Sequence, residues 1–173
     1  DPARVDASAG NAGAVMTLVS VYMPTKDRLG LLRAAVGSVL AQTYRPLELL
    51  IVNDGSTDGT RDYLDALAAT HDWVRVFHHA SPHGAPRSRN EAIRASTGEW
   101  ITGLDDDDEF EPHRIEALLG YALQMERIGV PFSAVYSQYN TVRGADVSPT
   151  KKRGSAGLED LLVNNCVGNQ IFA

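Results

Sequence analysis

Apolar residues in this chain follow two alternating rhythms. "AVMTLVSVYM" (14–23) and "PLELLIVND" (46–54) are near-continuous apolar runs, the pattern of strands buried on both faces of a sheet. Between them, "DRLGLLRAAVGSVLAQT" (27–43) sets Leu29, Leu32, Val36, Val39 and Leu40 on one helical face. "STDGTRDYLDALAAT" (56–70) opens with Ser and Thr as cap candidates and shows helical spacing at Leu64, Leu67 and Ala68. The alternation continues with a strand at "VRVFH" (74–78), a helix over "APRSRNEAIRASTG" (85–98) and a strand at "EWITGL" (99–104). Pro86 suits the entry of that helix and Gly98 its stop. "EPHRIEALLGYALQMERIG" (111–129) predicts a helix with Pro112 at its first position. Beyond it, "PFSAVYSQYNTV" (131–142) predicts a fifth strand, "RGADVSPTKKRGSAG" (143–157) a loop and "LEDLLVNN" (158–165) a short helix.

Four rounds of strand and helix predict an α/β fold: an open, mainly parallel sheet with helices on both faces. Such sheets bind ligands beyond the carboxyl ends of their strands. Residues 24–27, 53–58, 78–86 and 105–109 all follow strands and are expected to converge on one rim. The expected organisation is a polar lead-in over 1–13, one domain over 14–142, and a loop with the start of a further region over 143–173.

The 173 residues suffice for one domain with a real core. Lys and Arg number 16 against 22 Asp and Glu, a formal charge of -6, which argues against nucleic acid as the main partner. The single cysteine, Cys166, excludes an internal disulfide and a multi-cysteine zinc site, and fits a reducing compartment. No apolar run approaches the roughly 20 residues that span a bilayer. The opening "DPARVDASAGNAGA" lacks the basic and apolar regions of a signal peptide. The expected location is cytoplasmic, or membrane-associated through parts outside this chain. The chain starts without Met and stops inside the apolar "VGNQIFA", so it reads as a piece of a longer protein.

Charge bears most on function at "DDDDEF" (105–110). Adjacent carboxylates repel by about 1 kcal/mol at contact distance even in water. A hard divalent cation, Mn²⁺ or Mg²⁺, removes that repulsion and takes one or two carboxylates plus phosphate oxygens. In an extended segment alternate residues share a face, so Asp105 and Asp107 are the candidate ligands and Asp106 points elsewhere. A solvated acidic cap on the next helix is the plainer alternative. "NDGSTDGT" (53–60) has the first half of a calcium-loop pattern, but Asp65 stands where the loop wants Glu, and a strand precedes it. A turn and helix cap is the simpler reading, with Asp54 at a strand tip able to accept a base N–H. His78, His79 and His83 are expected to be exposed loop histidines. Arg87 and Arg89, at a helix start, are able to reach a diphosphate.

With these residues in place, the chain closely resembles the family-2 glycosyltransferases with the Rossmann-like GT-A fold, from about residue 15 to 128. "VSVYMPTKDR" is similar to the family's opening strand and turn. "SVLAQTYRPLELLIVNDGSTDGT" and "RSRNEAIRASTGEWITGLDDDDEFEP" resemble its two densest stretches. Lys26 and Asp27 depart from the family's aromatic and Asn, and Asn53 from its frequent Asp. The resemblance implies a metal-dependent, inverting transferase that moves a sugar from a nucleotide-diphospho-sugar, UDP-linked in the first instance, to a saccharide or lipid-linked acceptor. It implies nucleotide-sugar contacts from Pro24, Thr25, Lys26, Asp54, Arg89, Asp105 and Asp106, with Asn90 completing an Arg-Asn pair. Asp105 and Asp107 match the family's metal-binding pair, with Mn²⁺ or Mg²⁺ as cofactor. The general base has no convincing equivalent after residue 130 and is expected beyond Ala173. The alternatives are a nucleotide-sugar-binding module without turnover, a sugar nucleotidyltransferase and a phosphoaspartate receiver. "MPTKDR" lacks the glycines of a nucleotidyltransferase loop, and the order of the acidic motifs differs from a receiver's.

Overall fold

The computed structural model describes residues 17–137, 140–143, 146–149 and 171–172. Four parallel strands form the centre: β1 (Val19–Thr25), β2 (Leu47–Asn53), β3 (Val74–His78) and β4 (Trp100–Gly103). Helices α1 (Leu29–Leu40), α2 (Thr60–Thr70) and α3 (Ala85–Ala95) connect them in turn, and α4 (Arg114–Arg127) follows β4. Short strands β5 (Val135–Tyr136) and β8 (Ile171–Phe172) extend the sheet in the order β3-β2-β1-β4-β8-β5. Strand β8 runs antiparallel to both of its neighbours.

The period of two along the strands divides the core. Leu47, Leu49 and Ile51 of β2 pack with Val19, Val21 and Met23 of β1 against α1, α2 and α4. Leu50 and Val52 face the other way, onto Ala92 of α3. The chain moves outward through β2 to β3, then returns past β1 to lay down β4. A right-handed crossover in the reverse direction must lie on the opposite face, which is why α3 stands apart from the other helices. Strand order reverses between β1 and β4, and that reversal opens a crevice at their carboxyl ends.

Helices α1, α2 and α4 begin later than the sequence pattern predicts, for local backbone reasons, whereas α3 starts at Ala85 as expected. Asp27 takes φ 51°, a left-handed conformation that no helix admits and that Asp tolerates better than most residues. Helix α1 therefore starts at Leu29, whose N–H donates to Asp58 Oδ2 at 2.9 Å. Gly59 at φ 89° likewise delays α2 to Thr60, whose N–H and hydroxyl both donate to Asp58 Oδ1. Asp58 thus caps two helices. Pro112 lies in a turn two residues ahead of α4, where its carbonyl accepts from Thr43 N–H at 2.9 Å.

The region after α4 differs from the expectation of one strand over 131–142 and a loop over 143–157. Within the first range, Val135–Tyr136 joins the main sheet and Asn140–Arg143 (β6) leaves it. Strand β6 pairs in antiparallel register with β7 (Asp146–Pro149), inside the predicted loop, and forms a separate two-stranded hairpin. All four β7 residues are exposed, so no apolar alternation marks the strand. The predicted helix over 158–165, Cys166 and the basic "KKR" (151–153) lie outside the described residues. No helix among the described residues is long and apolar enough to cross a membrane.

Candidate functional site

The carboxyl ends of β1, β2 and β4 and the start of α3 enclose a cavity of about 470 Å³. Pro24, Thr25, Lys26 and Arg28 line it from the β1 side, Asp54 from β2, and Asp105, Asp106 and Asp107 from β4. Pro82, Gly84, Ala85 and Arg89 close it from the α3 side. Pro24, Thr25, Lys26, Asp54, Arg89, Asp105, Asp106 and Asp107, all expected from the sequence, line this cavity at the point where strand order reverses, whereas Arg87 does not.

The acidic segment is a turn, not an extended strand end: Asp108 N–H donates to the Asp105 carbonyl at 3.1 Å. This corrects the alternation argument. The turn brings one carboxylate oxygen each from Asp105, Asp107 and Asp108 within 4.8 Å of one another. Asp108, absent from the sequence-based set, joins because a turn returns the fourth residue toward the first. Asp106 points inward, only 6% exposed, and accepts from Thr25 Oγ1 at 2.8 Å and Arg28 at 3.1 Å. The convergence of three hard oxygen ligands fits a divalent cation of the Mg²⁺ or Mn²⁺ kind.

Two arginines balance this acidic rim. Arg28 donates to Asp107 at 2.9 Å as well as to Asp106. Arg89, one turn into α3, donates to Asp105 Oδ1 at 2.7 Å. Asp106 and Asp107 hold the Arg28 guanidinium more firmly protonated than usual. Sequence reading passed over Arg28. Its signal was its place, three residues beyond Thr25 on a loop that must overlie β4.

Asp54 is almost fully buried, and its oxygens are gripped by a loop. His79 Nδ1 and His83 N–H donate to Oδ1 at 2.7 and 2.8 Å, and Gly84 N–H donates to Oδ2 at 2.7 Å. Burial alone would raise this carboxyl's pKa, but the hydrogen bonds from His79, His83 and Gly84 outweigh it and bring the pKa down to about 2. The loop approaches closely because residue 55 is glycine. At φ 73° a Cβ there would lie 3.0 Å from Pro82 N and Ser81 C. The calcium-loop pattern is not realised: Asp54 turns to this loop, while Asp58 caps the helices.

The histidines depart from expectation. His79 has a side chain only 10% exposed, and its Nε2 lies 2.6 Å from Glu91 Oε2 on α3. The bonds to Asp54 and Glu91 raise its pKa above the ordinary histidine value despite burial. His78 is also largely covered, between Asn53 Nδ2 at 3.0 Å and Asp65 at 3.0 Å. Of the three, only His83 is exposed. Asn90 is exposed too and does not line the cavity.

An open α/β sheet with a cavity at its switch point, lined by an acidic turn and by Arg28 and Arg89, is a ligand-binding arrangement. The chain belongs to glycosyl transferase family 2, whose family model matches residues 20–170. It is 34% identical over 158 residues to WcaA of Escherichia coli (strain K12), a glycosyl transferase assigned by inference to colanic acid biosynthesis. That match takes in 90% of this chain and 56% of WcaA, so the chain spans little more than half of that relative. The crystal structure of S. aureus TarS superposes on 64% of this chain with a TM-score of 0.59. At 21% identity and 20% of the TarS chain, that likeness shows the GT-A fold alone. The mannosyltransferase PcManGT from Pyrobaculum calidifontis, solved with GDP-Man and Mn²⁺, is 28% identical with a TM-score of 0.52. That superposition covers 61% of this chain and 31% of PcManGT.

Proposed function

We propose that this chain is the donor-binding part of a metal-dependent, inverting glycosyltransferase that uses a nucleotide-diphospho-sugar. The observation that carries the reading is the convergence of Asp54, Arg28, Arg89 and the 105–108 turn on one cavity. The binding of GDP-Man and Mn²⁺ by PcManGT supports it.

The three donors to Asp54 leave one acceptor direction on Oδ2, since each carboxylate oxygen offers about two. That direction suits a single ring N–H, which uracil, thymine and guanine present. UDP is the first nucleotide to test. Pro24, Thr25 and Lys26 form the wall beside the base. Arg28 and Arg89 are placed to turn from their carboxylate partners toward a diphosphate, and the dipole at the start of α3 favours the same charge. Asp105, Asp107 and Asp108 would hold the cation, whose chemistry is to neutralise charge on the departing diphosphate. The bond from the anomeric carbon to the diphosphate oxygen breaks while an acceptor hydroxyl attacks from the opposite face. A general base takes that hydroxyl's proton, and configuration inverts. The acceptor class is a saccharide or a lipid-linked sugar.

Calorimetric titration of UDP, GDP and dTDP, with Mn²⁺ and with EDTA, tests this. Binding of one nucleotide that needs the metal and disappears in Asp107→Ala is the expected result. A folded chain that binds none of the three would refute the donor site. Transfer by the full-length protein separates an enzyme from a binding module.

A further inference from the structure

We propose that His79 is a positioning residue for the donor base: an imidazolium, braced by Glu91, that holds the Asp54 carboxylate charged and aimed into the cavity. This rests on the reading of Asp54 as the acceptor for a base N–H. The geometry carries it. One imidazole lies between two carboxylates, 2.7 Å from Asp54 Oδ1 and 2.6 Å from Glu91 Oε2. Both ring nitrogens must donate to satisfy both contacts, so the ring carries two protons and a positive charge. A neutral ring would turn one bare nitrogen lone pair against an anion.

The groups facing His79 come from three segments. Asp54 follows β2, and Glu91 lies on α3. The ring of His83, on the same loop as His79, meets it edge-on with centroids 4.8 Å apart. A base N–H reads Asp54 only while that carboxylate is ionised and fixed. His79 does both: it fills one acceptor direction on Oδ1 and leaves the Oδ2 direction for the ligand. Glu91, on the helix surface, keeps the ring from swinging away. The link therefore runs from α3 through His79 to the base pocket. Its raised pKa is consistent with a ring that stays protonated at neutral pH. The charge is lost as pH rises through that raised value.

The test uses the full chain with UDP and GDP, titrated across pH 6 to about 9 in parallel with His79→Gln, Glu91→Gln and Asp54→Asn. Wild type is expected to bind steadily at neutral pH and to weaken as the imidazolium deprotonates. His79→Gln should bind about tenfold more weakly at neutral pH and lack that pH step. Glu91→Gln, altered on a half-exposed surface side chain, should fold normally and move the step to lower pH. Ionisation of the base itself is common to all four proteins, so differences between them carry the result. Nitrogen-15 resonances of the His79 ring should show both nitrogens protonated at pH 7.

A bare ring nitrogen at pH 7, or a His79→Gln variant with wild-type affinity and pH profile, overturns the proposal. The two readings fail differently. Wild-type affinity in Asp54→Asn sinks the base reading and this proposal together. Weak binding in Asp54→Asn with normal binding in His79→Gln sinks only the role of His79.

Discussion

Asp54 is a buried charge whose stability contribution follows from its hydrogen bonds. Its folded pKa is about 2, against about 3.9 for an aspartate in an unfolded chain. Each unit of difference is worth about 1.4 kcal/mol. The ionised carboxylate therefore stabilises the fold by roughly 2 to 3 kcal/mol at neutral pH. The depressed pKa fixes the sign. This stability is present above pH ~4 and is lost as pH falls through ~2. Asp54→Asn should remove it. An Asn amide must also turn its NH₂ toward at least one of the N–H donors from His79, His83 and Gly84. That clash of donors leaves the variant about 2 kcal/mol or more below wild type at pH 7. Urea denaturation at pH 7, 5, 3 and 2 measures the difference. The two stability curves should converge toward pH 2, where the Asp54 carboxyl is half protonated and most of its contribution is gone. Curves that stay parallel from pH 7 to 2 would refute the account, because the loop's grip would then not depend on ionisation.

Other perturbations separate the site from its scaffold. Gly55→Ala forces a Cβ into the backbone of residues 81 and 82 at a positive φ; melting should show a loss of at least ~1 kcal/mol, and nucleotide affinity should fall as the loop shifts. Gly103→Ala drives a Cβ into the phenol of Tyr22, so a loss of about 1 to 3 kcal/mol in urea is expected. Glu48 is a buried carboxylate at the opposite end of the sheet, accepting from Ser20 Oγ at 2.6 Å and from Thr97 and Gly98 N–H. Glu48→Ala should cost about 2 to 4 kcal/mol of stability yet leave nucleotide affinity unchanged in calorimetry. Arg28 sits on two carboxylates of the acidic turn, so Arg28→Ala should bind Mn²⁺ more tightly without nucleotide and bind nucleotide more weakly; weaker Mn²⁺ binding by paramagnetic resonance would contradict that competition.

Most of the central fold was legible in the chain. Buried parallel strands must be apolar on both faces, so 46–54 identified β2 and 14–23 located β1, which among the described residues runs later, over Val19–Thr25, and the helical stripes between them named residues that cover the sheet. The rule that ligands gather beyond the carboxyl ends of parallel strands then picked out Pro24, Thr25, Asp54 and the acidic run. All of these meet at one cavity. The region after α4 was less legible. The hairpin of β6 and β7 is held by backbone pairing, and the exposed side chains of β7 leave no periodicity to read.

What the sequence determined by itself is the order of elements, their buried faces and the loops that carry chemistry, because these follow from local spacing and solvent exclusion. Tertiary structure alone decided which groups meet. His79 is an ordinary loop histidine in the sequence. It becomes a bridge because parallel pairing of β2 and β3 sets residues 53 and 78 side by side, and the crossover to α3 brings Glu91 over it. Asp108 joins Asp105 and Asp107 through a turn closed by one backbone hydrogen bond. Arg28, 78 residues from Asp106 in sequence, reaches it because β4 pairs beside β1. Hydrogen bonds and ion pairs act over a few ångströms, and only the folded path of the chain sets those distances.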